Sequence, residues 1–401
     1  MTTLLKDELL DSQALRALGY APYGAADIGD VTSTTGRITR VEKAQWNREW
    51  MSTATRVSAL ADAALAAGDN AGARAAYFRA SNYFRTSNIF AMEKDANAIA
   101  VLRAGHAREV VAFRAGAALL ESPPDIIQIP YENTTLPGYF FRVSDDGAKR
   151  PLMIITNGYD GTVEELYFGN GVAALERGYN VLVFDGPGQG SMLINRGVPI
   201  RPDWENVITP VVDFALTLSE VDPKKIVLLG LSFGGYLAPR AATKEHRLAA
   251  CISDCGPYDL FEVSVSRVPG FLAKALPSGS GLRLAILKRI LGGVMNGVTS
   301  GWGLRRNLLV HGVETPLEFF AVAPEFSLKG IEDQITCPTF VAYAESDDLS
   351  SRAPQLFAAL TCEKELIEFK AADGAGSHCE GSARTLFHAT IFPWLARVLA
   401  D

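Results

Sequence analysis

The chain has 401 residues and a net charge of −7, with 48% hydrophobic and 21% charged residues. That length and balance allow one large α/β domain plus a second unit, with a sizeable core. The acidic surplus argues against a nucleic-acid or anionic-membrane surface, and no window approaches the roughly 18 unbroken apolar residues of a membrane span.

Lys6, Asp7 and Glu8 charge the first turns, so the start does not read as a signal peptide. The five cysteines, an odd number scattered over a long chain, suit a reducing cytoplasm better than a disulfide framework. Cys251 and Cys255 lack a second metal-type pair, so buried thiols are expected there and no metal site.

Residues 1–122 read as a helical unit without a convincing strand. Trp46 and Trp50 stand four apart, and an alanine-rich stretch runs from Ser52 to Ala67 before Gly68-Asp69-Asn70 breaks it. A second helix is expected from Ala71. It carries Tyr77, Phe78, Tyr83, Phe84 and Phe90 and continues to Ala118, with spacings that bury one aromatic face. Pro123 and Pro124 mark a boundary.

Two β segments follow, 125–131 and 136–143, with Asn133 and Thr134 as their turn. Strands and helices then alternate: strand 152–156, helix 163–177, strand 181–184, helix 204–218, strand 226–229, helix 236–243, strand 249–253. Such alternation predicts a mostly parallel, doubly wound sheet with helices on both faces. It breaks at Phe261 and resumes near Gln334, so 261–333 reads as a helical cap inserted between core segments 123–260 and 334–401. The cap is expected over the carboxyl ends of the strands, where open α/β sheets bind ligands. Strand 339–344, helix 353–360, strand 365–370 and a closing helix over 382–399 complete the chain.

Gly230-Leu231-Ser232-Phe233-Gly234 lies between an apolar strand and a helix. Strand, G-x-S-x-G turn and helix make up the nucleophile elbow of α/β-hydrolases. A serine at the tip of so sharp a turn sits in strained backbone, and side chains at 230 and 234 would collide. The Phe233 amide, at a helix N-terminus, is then placed to meet an oxyanion.

A serine hydroxyl needs a histidine to take its proton and an acid to orient that histidine, and in this fold both follow the serine. Of the five histidines, only His378 lies between the last strand and the last helix. The acid belongs after the strand at 339–344, where Asp347 is the first choice, Asp348 the alternative and Glu345 a structural group. The second oxyanion donor belongs to Asn157-Gly158-Tyr159-Asp160-Gly161. The Tyr159 amide is expected there, with Asp160 or Gly161 in a shifted turn. Asn157 either touches substrate or stabilises that turn, and Asp160 is carried as a substrate-binding candidate. Asp254, Tyr258 and Asp259 follow the next strand. They either bind substrate near the site mouth or cap loops and anchor the cap. Asp185-Gly186-Pro187-Gly188-Gln189-Gly190 lacks the phosphate-loop pattern and reads as a tight turn, with Asp185 bonding backbone amides.

The elbow, the Asp185–Gly190 turn and Ser377-His378-Cys379, behind an N-terminal helical unit containing Arg79-Ala80-Ser81-Asn82-Tyr83, resemble one branch of the α/β-hydrolases. That branch holds 2,6-dihydroxypseudooxynicotine hydrolase and the polyketide-shortening hydrolases. The resemblance implies a cofactor-independent enzyme that cleaves a carbon–carbon bond beside a ketone in an aromatic or polyketide substrate, and often a homodimer. It also implies Ser232 as nucleophile or proton relay, Asp347 as orienting acid and His378 as base. An acidic residue downstream of the elbow helix also matters in one member; Asp254, Asp259 and Glu262 compete for that place here. Esterases, thioesterases, lactonases and acyl-enzyme cyclases use the same machinery. A non-catalytic receptor on this fold has no need of all three residues.

Overall fold

The computed structural model describes residues 3–274, 276 and 282–400, so a short part of the expected cap lies outside the described residues. Eight strands form one sheet: β1 (Asp125–Tyr131), β2 (Thr134–Phe141), β3 (Arg150–Thr156), β4 (Asn180–Phe184), β5 (Val221–Leu231), β6 (Ala250–Asp254), β7 (Thr339–Ala344) and β8 (Lys364–Phe369). Their order is β1-β2-β4-β3-β5-β6-β7-β8. The first two pairings, β1 with β2 and β2 with β4, are antiparallel, and the other neighbours are parallel.

Side-chain alternation divides the core between the two faces. Leu152, Ile154, Ile226 and Leu228 join one apolar cluster. Met153, Ile155, Val227 and Leu229 join the other, with Phe387 and Trp394 of the closing helix. Successive strand residues point to opposite faces, and both faces are covered, which is why these strands read as unbroken apolar runs. Each fully buried aliphatic side chain contributes roughly 1.5–3 kcal/mol. The sheet is therefore a rigid floor for the loops at its carboxyl ends.

The N-terminal helices run Glu8–Leu18, Ile28–Arg37, Lys43–Ala66, Asn70–Ser87 and Ala96–Ala117. The single helix expected from Ala71 to Ala118 is thus two, broken by a 3-10 turn at Ile89–Ala91 that carries Phe90. Trp46, Trp50, Tyr83 and Phe84 pack in one cluster, and the Asp95 carboxylate caps the helix that follows the break. The helix expected at 163–177 opens into a π turn over Tyr167–Gly171 between two short α segments. Asn170 in that turn accepts from Arg384 at 2.5 Å, and its Oδ1 lies 3.1 Å from His388 Nε2.

Between β6 and β7 lie helices Leu260–Ser266, Gly270–Ala273, Leu282–Met295, Trp302–His311 and Pro316–Val322. The fourth is tied to the N-terminal unit. Trp302 Nε1 donates to the Ile89 carbonyl at 2.9 Å, and Arg305 pairs with Glu93 at 2.8 Å. The two helical units thus meet each other as well as the sheet. Among the described residues, no helix is long and apolar enough to cross a membrane.

Candidate active site

β5 runs straight into Ser232, whose φ of 62° is in the left-handed region. A Cβ on residue 230 would come within 1.8 Å of the Gly234 carbonyl oxygen, and one on residue 234 within 2.5 Å of the Thr156 oxygen. Nothing but glycine fits at either place, so the turn stays sharp and Ser232 projects from its tip. The Ser232 amide donates to the Asp254 carbonyl at 2.9 Å, which pins the elbow to β6.

His378 follows β8 and stands over the elbow. Its Nε2 is 2.8 Å from Ser232 Oγ and its Nδ1 is 2.7 Å from Asp347 Oδ2. Asp347 is itself oriented by the Ser350 hydroxyl at 2.8 Å and the Leu349 amide at 3.1 Å. Asp348 points away, its side chain 81% exposed and 3.9 Å from Arg267. Burial alone would lower the His378 pKa, but the charge of Asp347, then that of Cys379, and the hydrogen bond to Asp347 outweigh it and hold the imidazole above its ordinary value. The same pairing brings the Asp347 carboxyl below its usual value against the effect of burial. Since the His378 side chain is 42% exposed, solvent screens part of this coupling.

The loop after β3 closes the site from the other side. A Cβ on Gly158 would lie 2.9 Å from Ser232 Oγ and 2.8 Å from the Phe233 amide nitrogen. Glycine therefore lets the loop approach Ser232. Among the described residues, the Tyr159 and Phe233 amides donate to no protein acceptor. Substituting Gly158→Ala puts a methyl where an oxyanion would sit. The expected loss is about 10²- to 10³-fold in kcat, the scale of removing an oxyanion donor. Phosphonylation of Ser232 should slow in parallel; labelling at the wild-type rate would contradict this placement.

The remaining candidates of this loop hold it in shape. Asn157, buried, accepts from the Gly158 amide at 2.7 Å and reaches the Thr162 carbonyl, so it takes the turn-stabilising alternative. Asp160, carried above as a substrate-binding candidate, offers no free carboxylate to a substrate. It is shared between Arg16 of the first helix, at 2.9 Å, and Arg306 of the cap. Both helical units thus grip one residue beside the Tyr159 amide. His311, one of the histidines outside the loop between the last strand and the last helix, adds a second grip: its Nε2 is 2.6 Å from the Tyr159 hydroxyl. Burial pushes His311 down to about 3 and the Tyr159 phenol well up, so the phenol donates to a neutral imidazole. The Tyr159 ring also packs on Phe233, with centroids 4.4 Å apart.

Asp254, expected near the mouth, is instead fully buried beneath the elbow, paired with Arg384 at 2.8 Å. Arg384 also donates to the Cys379 carbonyl at 2.8 Å, next to His378. Burial and the Asp254 charge push Glu380 well above the ordinary carboxyl range, with Arg384 opposing. Tyr258 donates to Glu332. Asp259 caps the first cap helix through the Glu262 amide at 2.8 Å and accepts from Ser327 at 2.8 Å. Both therefore take the cap-anchoring alternative. Asp185 accepts from the Ser191 amide at 2.7 Å within its turn.

Four non-glycine residues with positive φ ring this centre: Ser232, Cys255, Cys379 and Glu380. Strained backbone gathers where geometry serves a function. Cys255, His378 and Cys379 also have ligand-type atoms within 4.8 Å of one another, a grouping invisible in the cysteine spacing. His378 Nε2 is already engaged there by Ser232.

Residues 153–387 match the model of the alpha/beta hydrolase family, and the chain belongs to that family. It is 34% identical to 20-hydroxy-prefusarin hydrolase of Gibberella moniliformis over 100% of this chain and 99% of that one. It is also 34% identical to hydrolase acrC of Aspergillus aculeatus over 95% of this chain and 94% of that one. Among solved structures, 2,6-dihydroxy-pseudo-oxynicotine hydrolase superposes with a TM-score of 0.74 over 95% of both chains at 22% identity. AbyA5 does so with a TM-score of 0.59 over 96% of this chain and 98% of that one at 14% identity. At these identities the structural likenesses speak for the fold. The chain is a hydrolase of this family.

Proposed function

We propose that the protein is a serine hydrolase that cleaves a carbon–carbon bond beside a ketone in an aromatic or polyketide-type small molecule. The observation that carries the serine mechanism is the unbroken chain from Asp347 through His378 to Ser232, with Gly158 and two unengaged amides beside it. The substrate class is supported by the full-length relative named for the hydrolysis of 20-hydroxy-prefusarin.

In this reading His378 Nε2 accepts the Ser232 proton as Oγ attacks the ketone carbon. The Phe233 and Tyr159 amides hold the resulting oxyanion. Collapse of that intermediate breaks the carbon–carbon bond. The electron pair leaves as an enolate or phenol-stabilised carbanion, which takes the proton from His378. Water, deprotonated by His378, then releases the acid from the acyl-enzyme. Asp347 keeps the Nδ1 proton in place and stabilises the imidazolium at both stages.

The test is product analysis on an aryl 1,3-diketone beside the matched aryl ester. Two carbonyl products from the diketone support the reading. Turnover of the ester alone, with the diketone intact, would replace it with an esterase. A pH profile tests the base separately. Catalysis needs neutral His378, and a raised pKa keeps it protonated to higher pH. The acid limb of kcat/KM is therefore expected above 6.5, the ordinary value, and Asp347→Asn should move it down. A wild-type limb below 6.5 would count against the pairing.

A further inference from the structure

The acidic surplus of the whole chain is not shared by the cap. Residues 263–313 carry seven of the chain's 38 Lys and Arg and none of its 45 Asp and Glu. Arg305 and Arg306 are spent inward, on Glu93 and Asp160. Arg267 lies 3.9 Å from Asp348. Lys274, Arg283, Lys288 and Arg289 are exposed, and among the described residues no acid pairs with them.

Helix Leu282–Met295 presents most of that charge beside apolar side chains that face water. Its inner face is buried: Leu287 and Leu291 join the apolar cluster that also holds Tyr159 and Phe233. Its outer face is not. Leu282, Ile286 and Ile290 stand four residues apart in one row and are 77%, 38% and 41% exposed. By the 3.6-residue period, Arg283 falls at one edge of that row and Arg289 at the other. Phe271, on the short helix packed against this one, is 62% exposed. Helices apolar on all sides are ordinarily buried, and an apolar patch rimmed by polar groups marks an interaction surface.

We propose that this face docks on an anionic lipid surface. The aliphatic row and Phe271 enter the boundary between headgroups and acyl chains, while the flanking arginines and lysines meet the lipid phosphates and carboxylates. A second copy is a poor match. A two-fold contact sets each basic face against itself, with no acid in the stretch to offset the repulsion. An acidic protein answers the charge, yet the row between the bases is aliphatic and has no donor or acceptor to fix a partner's register. The docking helix packs on helices Trp302–His311 and Pro316–Val322. These hold His311 against Tyr159 and Phe319 against His311. Docking thus brings the cap side of the site to the lipid.

Vesicle sedimentation tests this with pure phosphatidylcholine and with phosphatidylcholine containing about one third phosphatidylserine. The wild type is expected to bind the anionic vesicles about 10-fold or more tightly than the neutral ones, and to come off as salt is raised. Joint replacement Arg283→Gln, Lys288→Gln and Arg289→Gln should weaken binding on the order of 100-fold, at about fivefold for each base. Leu282→Ser, Ile286→Ser and Ile290→Ser together should weaken it by about 10-fold or more with the charge unchanged. All six side chains are exposed, so circular dichroism and the thermal midpoint should match the wild type. Should the serine variant not fold, the glutamine variant decides alone. No binding to anionic vesicles, equal binding to both kinds, or binding that neither variant weakens overturns the proposal. So does a wild type that ignores vesicles yet is retained by immobilised poly-L-glutamate, or one that ignores them and forms a dimer that both variants dissociate. The face would then serve an acidic protein or a second copy.

Discussion

Ser232→Ala is expected to reduce kcat by about 10⁴- to 10⁶-fold and to abolish labelling by a fluorophosphonate, while the protein stays folded. The physical reason is that, in the proposed mechanism, this hydroxyl attacks: it is hydrogen-bonded to His378 Nε2 and stands beside the Phe233 amide. It sits at the tip of a turn whose left-handed φ of 62° exists only because the flanking glycines tolerate it. Losing one hydroxyl opens no cavity in either apolar cluster, so the thermal midpoint should move little or rise slightly as elbow strain relaxes. Intact-mass spectrometry after labelling reads the result directly. A wild-type protein that folds but is not phosphonylated, or an alanine variant still labelled, would remove Ser232 from the mechanism.

Asp347→Asn should cost about 10⁴-fold in kcat, because an amide at Oδ2 no longer compels the Nδ1–H tautomer or stabilises the imidazolium. Asp348→Asn should leave kcat within about twofold, as expected of an exposed charge away from the reacting atoms. The two residues are adjacent in sequence, yet one accepts from His378 at 2.7 Å and the other has its side chain 81% exposed. Full activity in Asp347→Asn together with loss in Asp348→Asn would show that the loop is arranged otherwise in the working enzyme. Because the turn from Asp348 to Ser350 is held by Asp347 itself, kinetics should be read beside circular dichroism of each variant.

Much of this was legible before any coordinates. The ranges expected for β1 and β7 match the observed strands, because short branched runs between turn residues admit few alternatives. His378 stood out by elimination, since the fold reserves one loop for the base. Helix ends and interruptions were less readable. Apolar spacing continues through Phe90 without a break, yet the helix ends at Ser87, where Trp46 and Asn47 of the preceding helix take the Thr86 and Ser87 carbonyls, contacts that a periodicity in one segment does not record. The π turn at Tyr167–Gly171 answers to Arg384, more than two hundred residues away.

Local sequence determined the elements, the elbow and the identity of the groups able to do acyl chemistry, because backbone strain, hydrophobic period and side-chain type are properties of neighbouring residues. Only the tertiary structure decided what each polar group is free to do. Asp160, Asp254, Tyr258 and Asp259 looked available in the chain and are engaged by Arg16, Arg306, Arg384, Glu332 and Ser327. His311 was passed over because it lies outside the loop between the last strand and the last helix, yet it meets the Tyr159 hydroxyl beside the elbow. A hydrogen bond between residues far apart in sequence leaves no local trace in either, so which donors are satisfied and which are left over is settled only once the chain has closed on itself.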